Sequence, residues 1–182
     1  MNRVVILVGS NINKEVNLPA AVRLLAEQTR LIAVSSVYET IPMGFRDQPN
    51  FFNAAVLIET NHSALALKER VLAPIEQELQ RVRTNNKNGA RTIDLDIGLF
   101  NDRAFTYGHP GGKVRRVPDK DLLRFPHAAI PVAELLPEMP HPETGERFVE
   151  IAERLEKTSR EGGKPILWKR EDIRLDTVPI VA

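Results

Sequence analysis

Runs of apolar residues at strand and helix spacing divide the first hundred residues into structural elements. Apolar residues are continuous over 4–8, which is typical of a buried strand, and Gly9 marks the following turn. Helical spacing of leucine, valine and isoleucine predicts helices over 18–25 and 67–79, and Pro74 should kink or break the second. Further strands are predicted over 31–38, 52–59 and 93–99.

The order strand, helix, strand, strand, helix, strand predicts an α/β (α+β) fold. It is that of a split βαβ sandwich, in which two helices cover one face of an antiparallel sheet. The other face is then free for a site. Periodicity is lost between 101 and 124, where 109–113 should form an exposed loop or hairpin. Short helices are predicted over 132–136 and 148–155.

Composition limits the class of protein. The 182 residues, 42% apolar and 27% charged, are typical of a globular protein, and we expect one domain over 1–160 with a C-terminal tail over 161–182. A net charge of +1 gives no reason to expect nucleic acid or a membrane surface as a partner. The absence of cysteine excludes disulfides and cysteine nucleophiles, and the N-terminal apolar run is too short for a signal peptide. We therefore expect a cytoplasmic location and small-molecule partners, while the oligomeric state stays open.

The segment 89–99 carries the strongest chemical signal. Because side chains alternate along a strand, Asp94, Asp96 and Gly98 share one face, with the Cα atoms of the two aspartates about 6.6 Å apart. Magnesium prefers oxygen ligands, so the pair could serve two adjacent ions or one shared ion. The alternative is a half-buried strand whose polar face meets water, and the pair alone leaves both interpretations open.

Three arginines accompany the aspartate pair. Arg91 precedes Asp94 by three positions, and Arg81 and Arg83 alternate at the end of the preceding predicted helix. Guanidinium groups match phosphate oxygens in bidentate fashion, so these residues together with a metal could neutralise a polyphosphate. Solvated charge near a helix C-terminus is the alternative for Arg81 and Arg83. The polar segment 84–89 should be a loop able to close over a substrate.

Four motifs in the same order resemble one enzyme family. They are Gly-Ser-Asn at 9–11, Ser-Ser-Val-Tyr-Glu-Thr-Ile-Pro-Met-Gly at 35–44, Asp-Gln-Pro-Asn-Phe-Phe-Asn-Ala at 47–54, and the arginine and aspartate pattern from 81 to 96. Together they resemble the 6-hydroxymethyl-7,8-dihydropterin pyrophosphokinases of folate biosynthesis. The resemblance implies a ferredoxin-like fold and transfer of pyrophosphate from ATP to the pterin hydroxymethyl group, with release of AMP.

The resemblance also implies roles for individual residues. Asp94 and Asp96 would ligate two magnesium ions that bridge the ATP phosphates, and with Arg81 and Arg91 they would form the catalytic group. The nucleotide would be contacted by Arg81, Arg83, Arg91, His127 and Glu76. The pterin slot would be lined by Thr40, Pro42, Met43, Phe51 and Asn53.

Some of these positions have simpler explanations. Phe51 and Phe52 could both pack in the core, although alternation lets only one of them face a slot while Phe51 and Asn53 share a face. Glu76 could be solvated, and His127 could be structural.

The chain also departs from the family's pattern after His127. There the usual arginine followed by phenylalanine is missing, and the residues that could substitute by position are Arg115, Arg116 or Arg124 for the first and Phe125 for the second. This departure leaves two alternatives open: the same fold acting on a different pterin, or a non-catalytic pterin- or nucleotide-binding relative.

Overall fold

A six-stranded antiparallel sheet is the centre of the protein, whose structure, a computed structural model, describes residues 1–176. The strands are β1 (Asn2–Ser10), β2 (Arg30–Val34), β3 (Val37–Thr40), β4 (Phe51–Thr60), β5 (Asp94–Phe100), β6 (Phe105–Tyr107), β7 (Arg115–Val117), β8 (Arg160–Glu161), β9 (Lys164–Pro165) and β10 (Leu167–Arg170). The helices are α1 (Lys14–Gln28), α2 (Ala64–Leu67), α3 (Ala73–Glu78), α4 (Pro126–Leu135) and α5 (Phe148–Glu156). The main sheet has the order β10, β3, β4, β1, β5, and β2 pairs with the second half of β4.

The predicted fold class is confirmed, and both faces of the sheet are used. Val4, Ile6 and Val8 of β1 pack with α1 and the α2–α3 helix, whereas Val5 and Leu7 point to the opposite face. This explains the continuous apolar run, because a strand buried on both faces does not alternate in polarity. Helices α4 and α5 cover part of the second face, so it is only partly free for a site.

The predicted strand over 31–38 is in fact two strands, β2 and β3. At the break, the Ser35 backbone N–H donates to the Ala55 carbonyl and the Ser35 hydroxyl accepts from the Ala55 N–H, each at 2.8–2.9 Å. A side chain therefore replaces one rung of the backbone ladder with β4. The separate β3 carries Thr40 to the edge of the site.

The second predicted helix is kinked rather than broken at Pro74. A π-helical turn, Lys68–Leu72, joins α2 to α3, and the Ala73 N–H donates to the Lys68 carbonyl five residues earlier. Proline lacks the N–H that would continue the α-helical pattern, and the wider turn accommodates its ring. The helix ends at Glu78, so Arg81 and Arg83 lie in the following loop rather than in the helix.

The segments after residue 100 complete the fold. β6 and β7 form the hairpin that the loss of periodicity indicated, and α4 begins at Pro126, six residues before the predicted short helix. Strand β10 pairs with β3, so part of the predicted tail extends the main sheet. The domain boundary at 160 stays a prediction, and the end of the tail, 177–182, lies outside the described residues. None of the helices in 1–176 is long and apolar enough to cross a membrane.

Candidate active site

Strand β5 holds the aspartate pair on the face of the sheet that α4 and α5 leave open. In its register with β1, Asp94 lies opposite Gly9 and Asp96 opposite Leu7. A Cβ on Gly98 would lie 3.0 Å from the Leu7 side chain, so glycine lets the two strands pack closely beside the carboxylates. The predicted common face of Asp94 and Asp96 is therefore present.

Both oxygens of Asp94 are held by arginine. Arg81 Nη1 donates to Oδ1 at 2.6 Å and Arg91 Nη1 to Oδ2 at 2.9 Å. Burial alone would raise the pKa of Asp94, but the charges of Arg81 and Arg91 outweigh burial and lower it. Asp94 is thus a carboxylate at neutral pH whose present partners are cations.

Asp96 is in a different environment, although it lies two residues away. Its Oδ1 lies 3.4 Å from the ammonium of Lys68, and its side chain is 46% exposed. Partial burial of the carboxyl, and then the negative charge of Asp94, raise the pKa of Asp96 to about 6. Of the two carboxylates, Asp96 therefore has fewer cationic partners within the protein.

Glu76 is buried, which excludes the solvated alternative. It accepts from Arg83 at 2.9 Å and from the Leu95 N–H at 3.1 Å, and Arg81 lies 3.5 Å away. Lys68 is a further neighbour at 3.6 Å. Both carboxylate oxygens of Glu76 therefore face groups of the protein, and its contact with a nucleotide stays a prediction.

A cavity of about 340 Å³, here called the cationic cavity, lies beside the aspartate pair. The buried Arg81 Nε has no partner among the described residues, and burial and the nearby Arg115 lower the pKa of Lys113. Such crowding of cations favours an anionic ligand. The charged residues of its lining are Lys68, Arg81, Arg83, Lys87, Arg91, Asp94, Asp96, Lys113 and Arg115.

A second cavity of about 370 Å³, here called the aromatic cavity, contains most of the residues predicted for the pterin slot. Phe51 lines it while Phe52 is buried in the core, as strand alternation requires. Asn53 donates to the Thr40 hydroxyl at 2.8 Å, which fixes the orientation of the amide. The lining residues are Gly9, Thr40, Ile41, Met43, Phe51, Asn53, Lys87, Asn88, Arg91, Asp94, Asp96, Asp121, Phe125 and His127.

Two predicted residues occupy different places from those expected. Pro42 is buried and Ile41 lines the aromatic cavity in its place. His127 lines the aromatic cavity and not the cationic one, and its ring stacks on Phe125 with centroids 5.3 Å apart and planes inclined by 15°. Burial lowers the pKa of His127, so the ring is neutral at pH 7 and contributes no positive charge towards phosphate.

The two cavities meet at the aspartate pair, because both are lined by Lys87, Arg91, Asp94 and Asp96. The cationic cavity offers positive charge, and the aromatic cavity offers an aromatic surface with an oriented amide. The sequence profile of the 7,8-dihydro-6-hydroxymethylpterin-pyrophosphokinase family matches residues 5–150. The chain belongs to this family.

Individual relatives agree with the family match. Folic acid synthesis protein fol1 of Schizosaccharomyces pombe is 36% identical over 150 residues, which cover 81% of this chain and 20% of that protein. The 2-amino-4-hydroxy-6-hydroxymethyldihydropteridine pyrophosphokinase of Pseudomonas aeruginosa is 34% identical over 148 residues, covering 79% of this chain and 86% of that protein.

Solved structures support the fold. Wild-type HPPK-DHPS of Plasmodium falciparum superposes with a TM-score of 0.72 at 13% identity, covering 92% of this chain and 48% of that chain. The chain thus spans about half of that structure and a fifth of the fol1 protein. At this identity the likeness supports the ferredoxin-like fold alone.

Three residues that line the cationic cavity were not predicted from the sequence, or were predicted only as one of several candidates. Lys68 was not singled out, because a lone lysine on a helix is ordinarily solvated. Lys113 and Arg115 reach the cationic cavity from the β6–β7 hairpin. Of the three candidate substitutes Arg115, Arg116 and Arg124, Arg115 lines this cavity and the other two do not. Arg116 instead pairs with Glu143, away from the cavity. Only the hairpin's alternation, which turns Arg115 and Arg116 to opposite sides, could have distinguished them.

Asn11 is a further residue whose role the sequence did not reveal. Its Oδ1 accepts from the Arg91 backbone N–H at 2.8 Å, and its Nδ2 donates to Gln48 at 2.8 Å. Gln48 in turn donates to the Asn88 carbonyl. These bonds connect the loop before β4 to the loop that carries Arg91, on the side of the aromatic cavity.

Proposed function

We propose that the protein transfers the pyrophosphoryl group of ATP to the hydroxymethyl oxygen of 6-hydroxymethyl-7,8-dihydropterin and releases AMP. The observation that carries this proposal is the meeting of the cationic and aromatic cavities at Asp94 and Asp96. A nucleotide phosphate chain in one cavity and a flat heterocycle in the other would place their reacting atoms together. Catalysis would then come mainly from positioning and from neutralisation of charge.

The chemical step follows from this placement. The hydroxymethyl oxygen forms a bond to the β-phosphorus, while the bond from that phosphorus to the oxygen bridging it to the α-phosphorus breaks. AMP leaves with the bridging oxygen, and the hydroxyl proton passes to solvent. Arg81, Arg83 and Arg91 would hold the phosphate oxygens, so no general base is assigned.

The donor set fits magnesium. Asp94 and Asp96 offer carboxylate oxygens, which are the ligands that Mg²⁺ prefers. Within 1–176, no group of three or more histidine, cysteine, aspartate or glutamate side chains could enclose a metal ion by itself. Asp94 and Asp96 would therefore hold Mg²⁺, with two ions as the predicted number, and phosphate and water would supply the remaining ligands. When bound, the metal would neutralise the charge of the phosphate chain.

Residues of this chain could replace the arginine and phenylalanine that are missing after His127. Lys113 and Arg115 add positive charge to the cationic cavity, and Phe125 faces the same aromatic cavity as Phe51. These contacts support catalysis rather than binding alone. ATP and the pterin are then the proposed small-molecule partners, and the cytoplasmic location stays a prediction.

Product analysis tests the proposal. With ATP and Mg²⁺, the protein should form AMP and a pterin diphosphate in equal amounts, and only when 6-hydroxymethyl-7,8-dihydropterin is present. Chromatography separates AMP from ADP. Formation of ADP would instead show transfer of a single phosphoryl group. Binding of either ligand without any product would favour the non-catalytic alternative, and turnover of only another pterin would favour a different substrate.

Replacement of Phe51 by alanine should raise the KM for the pterin by roughly ten- to a hundredfold, since stacking of a base on an aromatic side chain contributes about 1–3 kcal/mol. The KM for ATP should remain nearly unchanged, because Phe51 does not line the cationic cavity. Phe45→Ala is the matched control, since Phe45 is 46% exposed and lines neither cavity. Equal effects of the two substitutions in steady-state kinetics would contradict the assignment of the aromatic cavity.

A further inference from the structure

Lys68 is a buried cation next to the proposed metal site, and the proposed reaction gives it no role. Its side chain is only 6% exposed. Its Nζ donates to the Leu95 carbonyl at 2.6 Å and lies 3.4 Å from Asp96 Oδ1 and 3.6 Å from Glu76 Oε1. An ammonium has three donors, and here three oxygens surround it. Lys68 therefore has little freedom to turn towards a ligand without leaving buried oxygens unpaired.

The π-helical turn sets the position of this lysine. The Ala73 N–H bonds to the Lys68 carbonyl across five residues, so the turn holds one residue more than an α-helix would. Pro74 follows directly and cannot restore the α-helical bond. The turn packs against β5, and this packing points Lys68 at Asp96.

Charges at the aspartate pair are already balanced within the protein. Asp94 contacts Arg81 and Arg91, and Asp96 contacts Lys68. Glu76 lies near Lys68 and Arg81 and also contacts Arg83, so four cations face three carboxylates. A free divalent ion would meet no excess negative charge there. The phosphate chain of a nucleotide would draw Arg81 and Arg91 towards itself and add negative charge, whereas Lys68 would stay in place.

We propose that Lys68 is a positioning residue that keeps the affinity of Asp94 and Asp96 for a divalent ion low, so that the ion binds there only together with the nucleotide. It fixes one oxygen of Asp96 and opposes the entry of a metal ion that arrives without phosphate. Because such coupling is reciprocal, nucleotide and metal strengthen each other's binding by the same factor. This inference rests on the proposed function, since it takes the pair as a metal site beside a phosphate site.

Titration with Mn²⁺ alone, followed by electron paramagnetic resonance, tests the inference. Lys68→Met keeps the length of the side chain and removes its charge, and it should bind Mn²⁺ at least about tenfold more tightly than the parent. Because Lys68 stays in place when the nucleotide binds, an ATP analogue with a methylene bridge between the α- and β-phosphorus should strengthen Mn²⁺ binding by a similar factor in both proteins. Lys157→Met, which removes an exposed charge at the end of α5, should behave like the parent.

Unchanged or weaker Mn²⁺ binding by a folded Lys68→Met protein would overturn the inference. Lys68→Gln, whose amide can still donate to the Leu95 carbonyl, gives the same test if the methionine variant does not fold. Loss of the fold in both variants would assign Lys68 to packing between helix and strand, and would also overturn it. Since no pterin or turnover is involved, failure here would leave AMP formation by the parent intact. Tighter Mn²⁺ binding in a protein that forms no AMP would instead reject the proposed reaction.

Discussion

Replacement of Asp96 by asparagine should lower kcat by at least about a thousandfold, because it removes one of the two carboxylates proposed to hold the metal that neutralises the phosphate chain. The substitution keeps the size of the side chain, and Lys68 can still contact the amide oxygen. The fold should therefore persist. Pterin-dependent AMP formation measures the loss, and a variant with more than a tenth of the parent's kcat would contradict the proposed metal site.

The same substitution should stabilise the protein, and the effect should depend on pH. Burial, followed by the charge of Asp94, raises the pKa of Asp96 from 3.8 to about 6. A carboxyl with a raised folded-state pKa stabilises the fold below pH 4, and this contribution is lost as the pH rises through about 6. Asparagine does not titrate.

At pH 8 without metal, Asp96→Asn should thus have a free energy of unfolding about 1 kcal/mol above that of the parent. This is about a third of the roughly 3 kcal/mol that the shift alone implies, because the side chain is 46% exposed and solvent screens it. At pH 4 the difference should vanish. Urea denaturation at both pH values measures it, and a stabilisation that is equal at both would reject the electrostatic explanation.

Replacement of Glu76 by alanine should cost about 3–5 kcal/mol of folding stability, the range for removal of one partner from a buried ion pair. Glu76 is 3% exposed and is the shared acceptor for Arg81, Arg83 and the Leu95 N–H. Without it, the buried charges of Lys68 and Arg81 face fewer anions. Both stability and binding of ATP should then fall, because the arginines lose their orientation.

Glu78→Ala is the matched control for this experiment. Glu78 lies two residues along the same helix and is exposed, so its removal should change stability by no more than about 0.5 kcal/mol. Thermal and urea denaturation compare the two variants. Similar stabilities would mean that the cluster around Glu76 contributes nothing to the fold, and would contradict its role in positioning the cations.

Most of the correct predictions from the sequence rest on the alternation of side-chain direction along a strand. It placed Asp94 and Asp96 on one face, and it separated Phe51 from Phe52, because side-chain direction in a strand is a local property. The resemblance of the motifs to one family added the fold and the expected ligands of these side chains, and the family match supports the resemblance.

Features that depend on tertiary packing could not be predicted in this way. The direction of Lys68 depends on a π-helical turn, and the approach of Lys113 and Arg115 depends on how the β6–β7 hairpin packs beside β5. The pairing of β10 with β3 joins segments more than a hundred residues apart. No local pattern encodes such contacts.

The most direct test of the account is a crystal structure with Mg²⁺, 6-hydroxymethylpterin and the ATP analogue with a methylene bridge between the α- and β-phosphorus. The account predicts the phosphate chain in the cationic cavity and the pterin between Phe51 and Phe125, with its hydroxymethyl oxygen facing the β-phosphorus beside Asp94 and Asp96. A pterin bound outside the aromatic cavity, or two ligands whose reacting atoms do not meet at the aspartate pair, would contradict it.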